Sequence, residues 1–531
     1  MIKQKSYSWS EWWYLLLIIL LFAIYPVIFL LAHNWYRFTL SVAVLPVLTS
    51  AVIAVVLWIL LALCIRHPER AACIVVVNTA FFYSYGMFTL FIKAVEPLMI
   101  LGYNNLYFIA FLFLNTALIF VLRKYHTIAE TANRILFIII STSLILSLLT
   151  ITVSSRKRYH AALTRSSDDS RLEMLLKQVG FSNDTIKKPD IYHIILDAHP
   201  RSDMLTKYFG ADNSRFITFL ESSGFIVAHN GLSNYSCTDL SIPATLNFTY
   251  MHDTNDSLHR SPLVLSELRY RKTHSLAKKF LNQLGYSTYT IRNGFETDER
   301  STFDHFIQPH TILPGLSLNE FNYGVLRMTP LMAIINRFDY LGHSFFGEHR
   351  RLIRSALDFL SYAHLEKKTK YVFAHIIAPH IPIVFGRHGE ELKDNKPYLN
   401  DPSADPDAFI QASKDEIFFL DSIVMQTIAN MIRKDSNCVI ILQSDHGELP
   451  VWPEEPCPQK SVIEQRHGIL YAMRIPGKLP DLSKKATAVN TYPLLFNAIF
   501  GCKIPLKKDR VFYSRYASTE YFCEVTDSLG L

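Results

Sequence analysis

The sequence predicts an N-terminal polytopic α-helical membrane domain of five spans, followed by an α/β domain with a central, mostly parallel sheet. Three observations carry this. Long apolar runs crowd the first part of the 531-residue chain, although hydrophobic residues make up 50% of the whole. From Asp190 onward, short β-rich runs alternate with helical patterns, the signature of a parallel sheet with crossover helices. Acidic residues and histidines sit where several of the β-rich runs end.

Five runs reach the length a bilayer core requires: about Trp12–Ala32, Phe38–Ile65, Ala71–Ile92, Tyr103–Leu122 and Ile135–Val153. The first is too long and too uniformly apolar for a cleavable signal peptide, and no small-residue cleavage site follows it. Trp12, Trp13, Trp35, Tyr36 and Tyr103 lie near run ends, as interfacial aromatics do. Basic residues set the orientation. Lys3, Lys5, Arg66, Arg70, Arg123, Lys124 and Arg134 fall on one side, against Arg37 and Lys93 on the other. The N-terminus is therefore expected in the cytoplasm, and an odd number of spans puts the rest outside. The layout reads as a bacterial inner (cytoplasmic) membrane protein: residues 1–154 in the membrane, 155–189 a linker whose amphipathic patch at Leu172–Val179 reads as a bridging helix, and 190–531 an extracytoplasmic domain.

The net charge of +7 is modest for this size and has no basic stripe, so nucleic-acid binding is not expected. Cys64 and Cys73 fall in the apolar region. Cys237, Cys438, Cys457, Cys502 and Cys523 follow it with no metal-binding spacing. In an oxidising compartment one or two disulfides can form among these five, with the pairing open.

In the second domain Ile191–Leu196 reads as a buried strand ending at Asp197, and Asn213–Ser223 as a helix closed by Gly224. Gly231–Leu246 reads as a loop of small hydroxylic residues entering a helix at Thr238. A helix of Leu263–Leu284 precedes a strand at Tyr286–Ile291. A strand at Tyr371–Ile377 runs into Ala378-Pro379-His380. After a long helix, Asp407–Arg433, the strand Cys438–Leu442 runs into Asp445-His446-Gly447-Glu448. Ile469–Ile475 is a further strand, and Asn490–Phe500 a helix.

In open α/β sheets the reactive crevice lies beyond the carboxyl ends of the strands. Asp197, His380 and Asp445-His446 all follow strands, and Thr238 opens a helix whose N-terminal N–H groups favour an anion. Each residue also has a plainer reading: Thr238 as an N-cap, Asp197 as a helix cap, Asp445 as a turn residue, His375 as a satisfied core histidine. Together, Asp197, Asp445, His446 and the Thr238 hydroxyl make a mixed oxygen/nitrogen set. It suits a divalent metal, zinc first and manganese second, which would lower the pKa of Thr238 as nucleophile. His375, His380 and His467 would stay free of metal, to donate to a phosphoryl oxygen or protonate a leaving group.

On these residues the chain resembles the sulfatase-like branch of the alkaline phosphatase superfamily, and within it the membrane-anchored phosphoethanolamine transferases and lipoteichoic acid synthases. Thr238-Asp239-Leu240-Ser241-Ile242-Pro243 matches the Thr-x-x-Ser-(Val/Ile)-Pro pattern of the transferases' nucleophile. His375 and His380 match their paired histidines, and Asp445-His446-Gly447-Glu448 their Asp-His-Gly-Glu. Five spans before an extracytoplasmic catalytic domain is also their layout. There are departures. Asp197 stands where the transferases use Glu, Ala244 where they have a disulfide cysteine, and Leu449–Gln465 does not follow their pattern. True sulfatases oxidise a Cys or Ser within (Cys/Ser)-x-Pro-x-Arg, whereas here Thr245 replaces the Arg. The resemblance implies transfer of a phospho-headgroup, phosphoethanolamine or phosphoglycerol, from a membrane phospholipid donor to an envelope glycan or lipid acceptor through a phospho-threonine. Hydrolysis of phosphate or sulfate esters on the same fold is the alternative, and non-catalytic binding of envelope glycan or lipid the third.

Overall fold

The computed structural model describes the chain except for residues 1–6, 36–37, 39, 95–101, 126, 164–165, 180–187, 252–263, 295–301, 310–319, 338–344, 393–395, 397–400, 451–454, 456, 478–481, 483–485, 516–517 and 531. Lys3, Lys5, Tyr36 and Arg37 thus lie outside the described residues. The contacts divide the chain into two units, Met1–Lys157 with Thr311–Phe345, and Arg158–His310 with Phe346–Leu531.

The first unit is built on apolar helices: α1 (Trp9–His33), α2 (Ser41–Ile65), α3 (Pro68–Tyr83), α4 (Tyr85–Ala94), α5 (Tyr103–Lys124) and α6 (Ile128–Leu163). Ser8 opens α1 through a capping box with Glu11. Among the described residues four helices are long and apolar enough to cross a membrane, and α3 with α4 makes a fifth if the pair is one span. That pair bends by 50° at the middle of the third expected run. At the bend the Ser84 hydroxyl donates to the Phe81 carbonyl, and a side chain competing for helix carbonyls is a recognised source of bending. The last helix does not stop at Val153. No glycine or proline interrupts α6, and it continues to Leu163.

In the second unit α7 (Ser166–Gln178) carries most of the amphipathic patch read as a helix in the linker. The chain continues through β1 (Ile191–Leu196), α8 (Ser202–Phe209), α9 (Ser214–Ser222), β2 (Ile226–Val227), α10 (Thr238–Asn247), α11 (Val264–Thr273), α12 (Leu276–Gln283), β3 (Ser287–Ile291) and β4 (His305–Ile307). Helices α13 (Glu320–Arg327) and α14 (Leu331–Arg337) follow, then α15 (Phe345–Tyr362), β5 (Lys370–Ile376), α16 (Pro406–Lys434), β6 (Val439–Gln443), α17 (Lys460–His467), β7 (Tyr471–Arg474), α18 (Thr491–Phe500), β8 (Phe512–Arg515) and β9 (Ser518–Glu524).

Seven strands form one sheet in the order β2-β7-β6-β1-β5-β3-β4, and β8 and β9 form a separate antiparallel pair. Strands β6, β1, β5, β3 and β4 run parallel, and β7 pairs antiparallel with both β6 and β2. Every residue of β1, β5 and β6 is buried, which explains their unbroken apolar reading where a half-exposed strand would alternate. Helices cover the sheet through aromatic packing. Phe280 of α12 is fully buried, with its ring centroid 4.5 Å from that of Phe496 on α18. Burying such a side chain contributes about 1.5–3 kcal/mol.

One sequence expectation is corrected here. The helix expected over Leu263–Leu284 is two, because Ser275 accepts from the Lys278 N–H and caps a new helix, while Asn247 accepts from the Leu276 N–H. His467 ends α17. Helices α13 and α14, which lie in the stretch between β4 and α15, cluster with the first unit. Phe321 packs on Phe38 with ring centroids 5.2 Å apart, and Val325 joins Val27, Leu31 and Ile151. The apolar residues of α13 find a matching surface on the spanning helices, which outweighs their place in the sequence.

One pairing left open by the sequence is made: Cys457 bonds to Cys523 across 66 residues. Peptide mapping without reductant should recover this linked pair. Reduction should lower the stability of the second unit by about 4 kcal/mol, the loop-closure entropy for that span, read as a fall in Tm. Recovery of both cysteines as free thiols from the untreated protein would refute the pairing.

Candidate active site

The site follows from strand order. β1 lies between β6 and β5, so the residues leaving these three parallel strands emerge side by side, roughly 4.8 Å apart in the pairing direction. Asp197 leaves β1. His375 lies near the end of β5 and His380 just beyond it. Asp445 and His446 follow β6. Backbone bonds knit the three ends together. The Asp197 N–H donates to the Ile376 carbonyl at 2.9 Å, and the His380 N–H to the Asp197 carbonyl at 3.1 Å. Ala198, with φ 64°, turns the chain so that its N–H donates to Asp445 Oδ1 at 3.3 Å.

Thr238 is the first residue of α10. Its Oγ1 lies 3.1 Å from His446 Nε2. The same Nε2 is 3.5 Å from Asp197 Oδ1 and 3.6 Å from Asp445 Oδ2. The His446 Nδ1–H donates to the Gly447 carbonyl at 3.0 Å, so Nε2 presents its lone pair and accepts from the Thr238 hydroxyl. His375 Nε2–H donates to Asp197 Oδ2 at 3.1 Å, while its Nδ1 accepts from Asn293 Nδ2 at 3.3 Å and Lys272 Nζ at 3.4 Å. The His380 ring centroid lies 5.8 Å from that of His446, and its Nδ1–H donates to the Ile381 carbonyl. The four residues expected to hold a metal are therefore together, with His375 and His380 against them.

His467 is placed differently. It is fully buried, its Nδ1 meets the Ser233 carbonyl at 3.1 Å, and its Nε2 has no hydrogen-bond partner. Among the described residues no hydrogen bond or ion pair joins it to Thr238, Asp197, Asp445 or His446. Among the described residues no hydrogen bond joins Cys237 or Ser241 to Asp197, Asp445 or His446. Cys237 Sγ lies 3.6 Å from Ser514 Oγ, with burial pushing its thiol up to about 12, and Ser241 is buried within α10.

The electrostatics are those of two acids crowded out of water. Burial first, and then the charge of Asp197, push Asp445 up to about 6. Burial also works against ionised Asp197, yet His380, the His375 hydrogen bond and His446 hold it well below the usual carboxylate range. Burial pushes His380 down, but the charges of Asp197, Glu448 and Asp445 outweigh it and leave it raised. His446 is pushed well down, by burial and then by the Arg466 guanidinium. Asp197 Oδ1 and Asp445 Oδ2 are buried without a hydrogen-bond partner. The ligand atoms of Asp197, His380 and His446, and those of Asp197, His375 and Asp445, lie within 4.8 Å of one another. A divalent cation fits this set: it would supply the partner each orphaned oxygen lacks and offset their repulsion.

Arg466 is the residue sequence reasoning missed. Its guanidinium is buried and donates to the Ser236 carbonyl through Nε at 3.1 Å and Nη2 at 2.5 Å, and to the Gly447 carbonyl through Nη1 at 2.6 Å. It thereby fastens the Thr238 loop to the Asp-His-Gly-Glu turn, a role no local pattern announces. Gly447 is needed in that turn, since a Cβ there would stand 1.8 Å from the Gln465 carbonyl oxygen. Lys272, Asn293 and His349 also come in from distant helices and loops, and His349 feels the charges of His380 and Asp197.

Arg466→Met should leave both carbonyls without their donor and lower stability by about 3–5 kcal/mol, the loss typical of a broken buried charged network. Calorimetry that finds the variant as stable as the parent would show that Arg466 does not hold the two segments.

Comparison with known proteins can now be set against this geometry. The sulfatase family model, described as Sulfatase, matches residues 189–490, more than half of the chain. No curated protein matches. Among solved structures, the C-terminal periplasmic domain of EcEptC from Escherichia coli, in complex with Zn, is similar at 13% identity and a TM-score of 0.42, over 65% of this chain and 95% of that one. The lipoteichoic acid synthase LtaP from Listeria monocytogenes is similar at 13% identity and a TM-score of 0.39, over 65% of this chain and 84% of that one. The C-terminal periplasmic domain of the phosphoethanolamine transferase EptC from Campylobacter jejuni is similar at 12% identity and a TM-score of 0.37, over 62% of this chain and 94% of that one. With a family match that spans the sheet, the Thr238 loop and the Asp445-His446 turn, the chain belongs to the sulfatase family of the alkaline phosphatase superfamily.

Proposed function

We propose that the protein is a metal-dependent phosphotransferase. It moves a phospho-headgroup, phosphoethanolamine or phosphoglycerol, from a membrane phospholipid to an envelope glycan or lipid through a phospho-threonine. The observation that carries this reading is the Thr238 hydroxyl at a helix N-terminus, bonded to His446 and beside two buried, partnerless carboxylate oxygens. Asp197, Asp445, His446 and Thr238 Oγ1 would hold the cation. Zinc is the first choice for a mixed carboxylate–imidazole set and manganese the second. When bound, it supplies Lewis-acid stabilisation of the Thr238 oxygen and of the phosphoryl charge.

Thr238 Oγ1 would react as the alkoxide, its proton lost to solvent when the cation is bound; it attacks the headgroup phosphorus and the P–O bond to the lipid glycerol breaks, releasing diacylglycerol. The raised pKa of His380 suits it to give the departing oxygen its proton and later to take one from the acceptor hydroxyl. That hydroxyl displaces Thr238 from phosphorus, and the headgroup phosphate ends on the acceptor. His375, whose N–H is committed to Asp197, orients that carboxylate and is better placed for this than for proton transfer. His467, buried against Ser233, supports the Thr238 loop. The first-turn N–H groups of α10, with no side-chain cap from Cys237, face developing negative charge. A disulfide in the second unit and apolar helices in the first are consistent with a catalytic domain outside the cytoplasmic membrane and an N-terminus inside.

After incubation with phospholipid and zinc, mass spectrometry of the Thr238 peptide should show the donor headgroup as an adduct, and Thr238→Ala should abolish transfer. Wild-type turnover in that variant would sink the mechanism. Headgroup released at the same rate with and without acceptor would make the protein a hydrolase instead.

Metal affinity should depend on pH with a definite sign. Below about 6 Asp445 holds a proton that a cation must displace, whereas Asp197 stays ionised. Chelator competition should find zinc bound about tenfold more weakly one unit below that value than in the plateau above it. A flat profile would exclude Asp445 as a ligand.

A further inference from the structure

Within the first unit, α2, α3, α5, α13 and α14 surround a groove of about 610 Å³. That volume lies in the range of small-molecule pockets, about 300–1,000 Å³. Among the described residues no charged side chain lines it. Four of its polar side chains are spent on one another, and the Thr329 hydroxyl donates to the Leu326 carbonyl. Asn78 and Asn115 exchange amide bonds of 2.9 and 3.0 Å, and Ser50 bonds to Tyr83. Such a lining offers little to a headgroup or to a peptide backbone, and suits hydrocarbon.

The mouth of the groove decides the occupant. Leu45, Ile53, Leu57 and Phe111 line it and are also among the exposed apolar residues of α2 and α5, two of the helices able to cross a membrane. The groove is therefore continuous with a surface that lipid tails would cover. Its remaining wall, with Val325, Leu326, Thr329 and Leu331, comes from the stretch between β4 and α15. Leu331 and Ile334 of α14 are exposed as well, extending the apolar rim.

We propose that this groove binds one acyl chain of a diacyl membrane lipid. That this lipid is the headgroup donor rests on the phosphotransferase reading above; the binding itself does not.

The full-length protein, reconstituted in vesicles of phosphatidylethanolamine and phosphatidylglycerol, would be irradiated with a phospholipid carrying a diazirine in one acyl chain. Labelled peptides should concentrate on α2, α3, α5 and α14 where they face the groove. Ala54→Phe and Thr79→Phe, made separately so that a folding failure in one leaves the other, fill the groove. Each should lower labelling at these peptides about tenfold, the effect of excluding roughly two methylenes. Ile138→Phe on the exposed face of α6 should change nothing. Even labelling of all spanning helices that ignores both filling variants means annular lipid only and overturns the proposal. A label displaced by a helix of a second copy, seen as a cross-linked dimer through the groove, overturns it too. Groove labelling without a Thr238 adduct would fail the phosphotransferase alone. An adduct with even labelling would fail the groove alone.

Discussion

Two buried carboxylates at adjacent strand ends constrain everything else in the second unit. Asp197 and Asp445 lie against one imidazole nitrogen, each with an oxygen that no hydrogen bond satisfies. Burying two such charges without compensation is costly, so a stable fold there must import positive charge or retain a proton. The surroundings do some of each. Histidines close in on Asp197, while Asp445 is pushed toward its protonated form. A divalent cation would fit a site so arranged, and the Thr238 hydroxyl stands 3.1 Å from the same imidazole nitrogen.

The supporting structure is spent on keeping these groups in register. The parallel trio β6, β1 and β5 aligns the acids, the Ala198 turn links one to the other, and Arg466 ties the Thr238 loop to the Asp445 turn. His375 illustrates how role follows placement. Its ring is held from behind by Lys272 and Asn293 and in front by Asp197, so its tautomer and orientation are set before any substrate arrives. His380 has freedom that His375 lacks, because only its Nδ1 is committed, to the Ile381 carbonyl.

The two units meet different solvents with different means. The first presents apolar side chains outward and pairs polar groups such as Asn78 with Asn115. The second buries an apolar sheet and leaves Asp197 Oδ1 and Asp445 Oδ2 among its buried polar atoms that lack a hydrogen bond. Helices α13 and α14 cluster with the first unit though they are flanked in sequence by the second.

What was legible in the sequence was local. Runs of about twenty apolar residues announce spans because backbone groups in lipid must be satisfied within a helix. Fully apolar runs before Asp197, His380 and Asp445 announce buried parallel strands, and Thr238 announces a helix start. The motif that carries the chemistry was legible for the same reason, since its residues had to stand at element ends. Only tertiary structure decided the strand order that brings these ends together, the antiparallel turn of β7, the pairing of Cys457 with Cys523, and the position of Arg466. It also separated His375 and His380 from His467, three histidines that sequence treats alike. Patterning reports which face of an element is buried, but not which distant element buries it; that choice is made by packing between segments hundreds of residues apart.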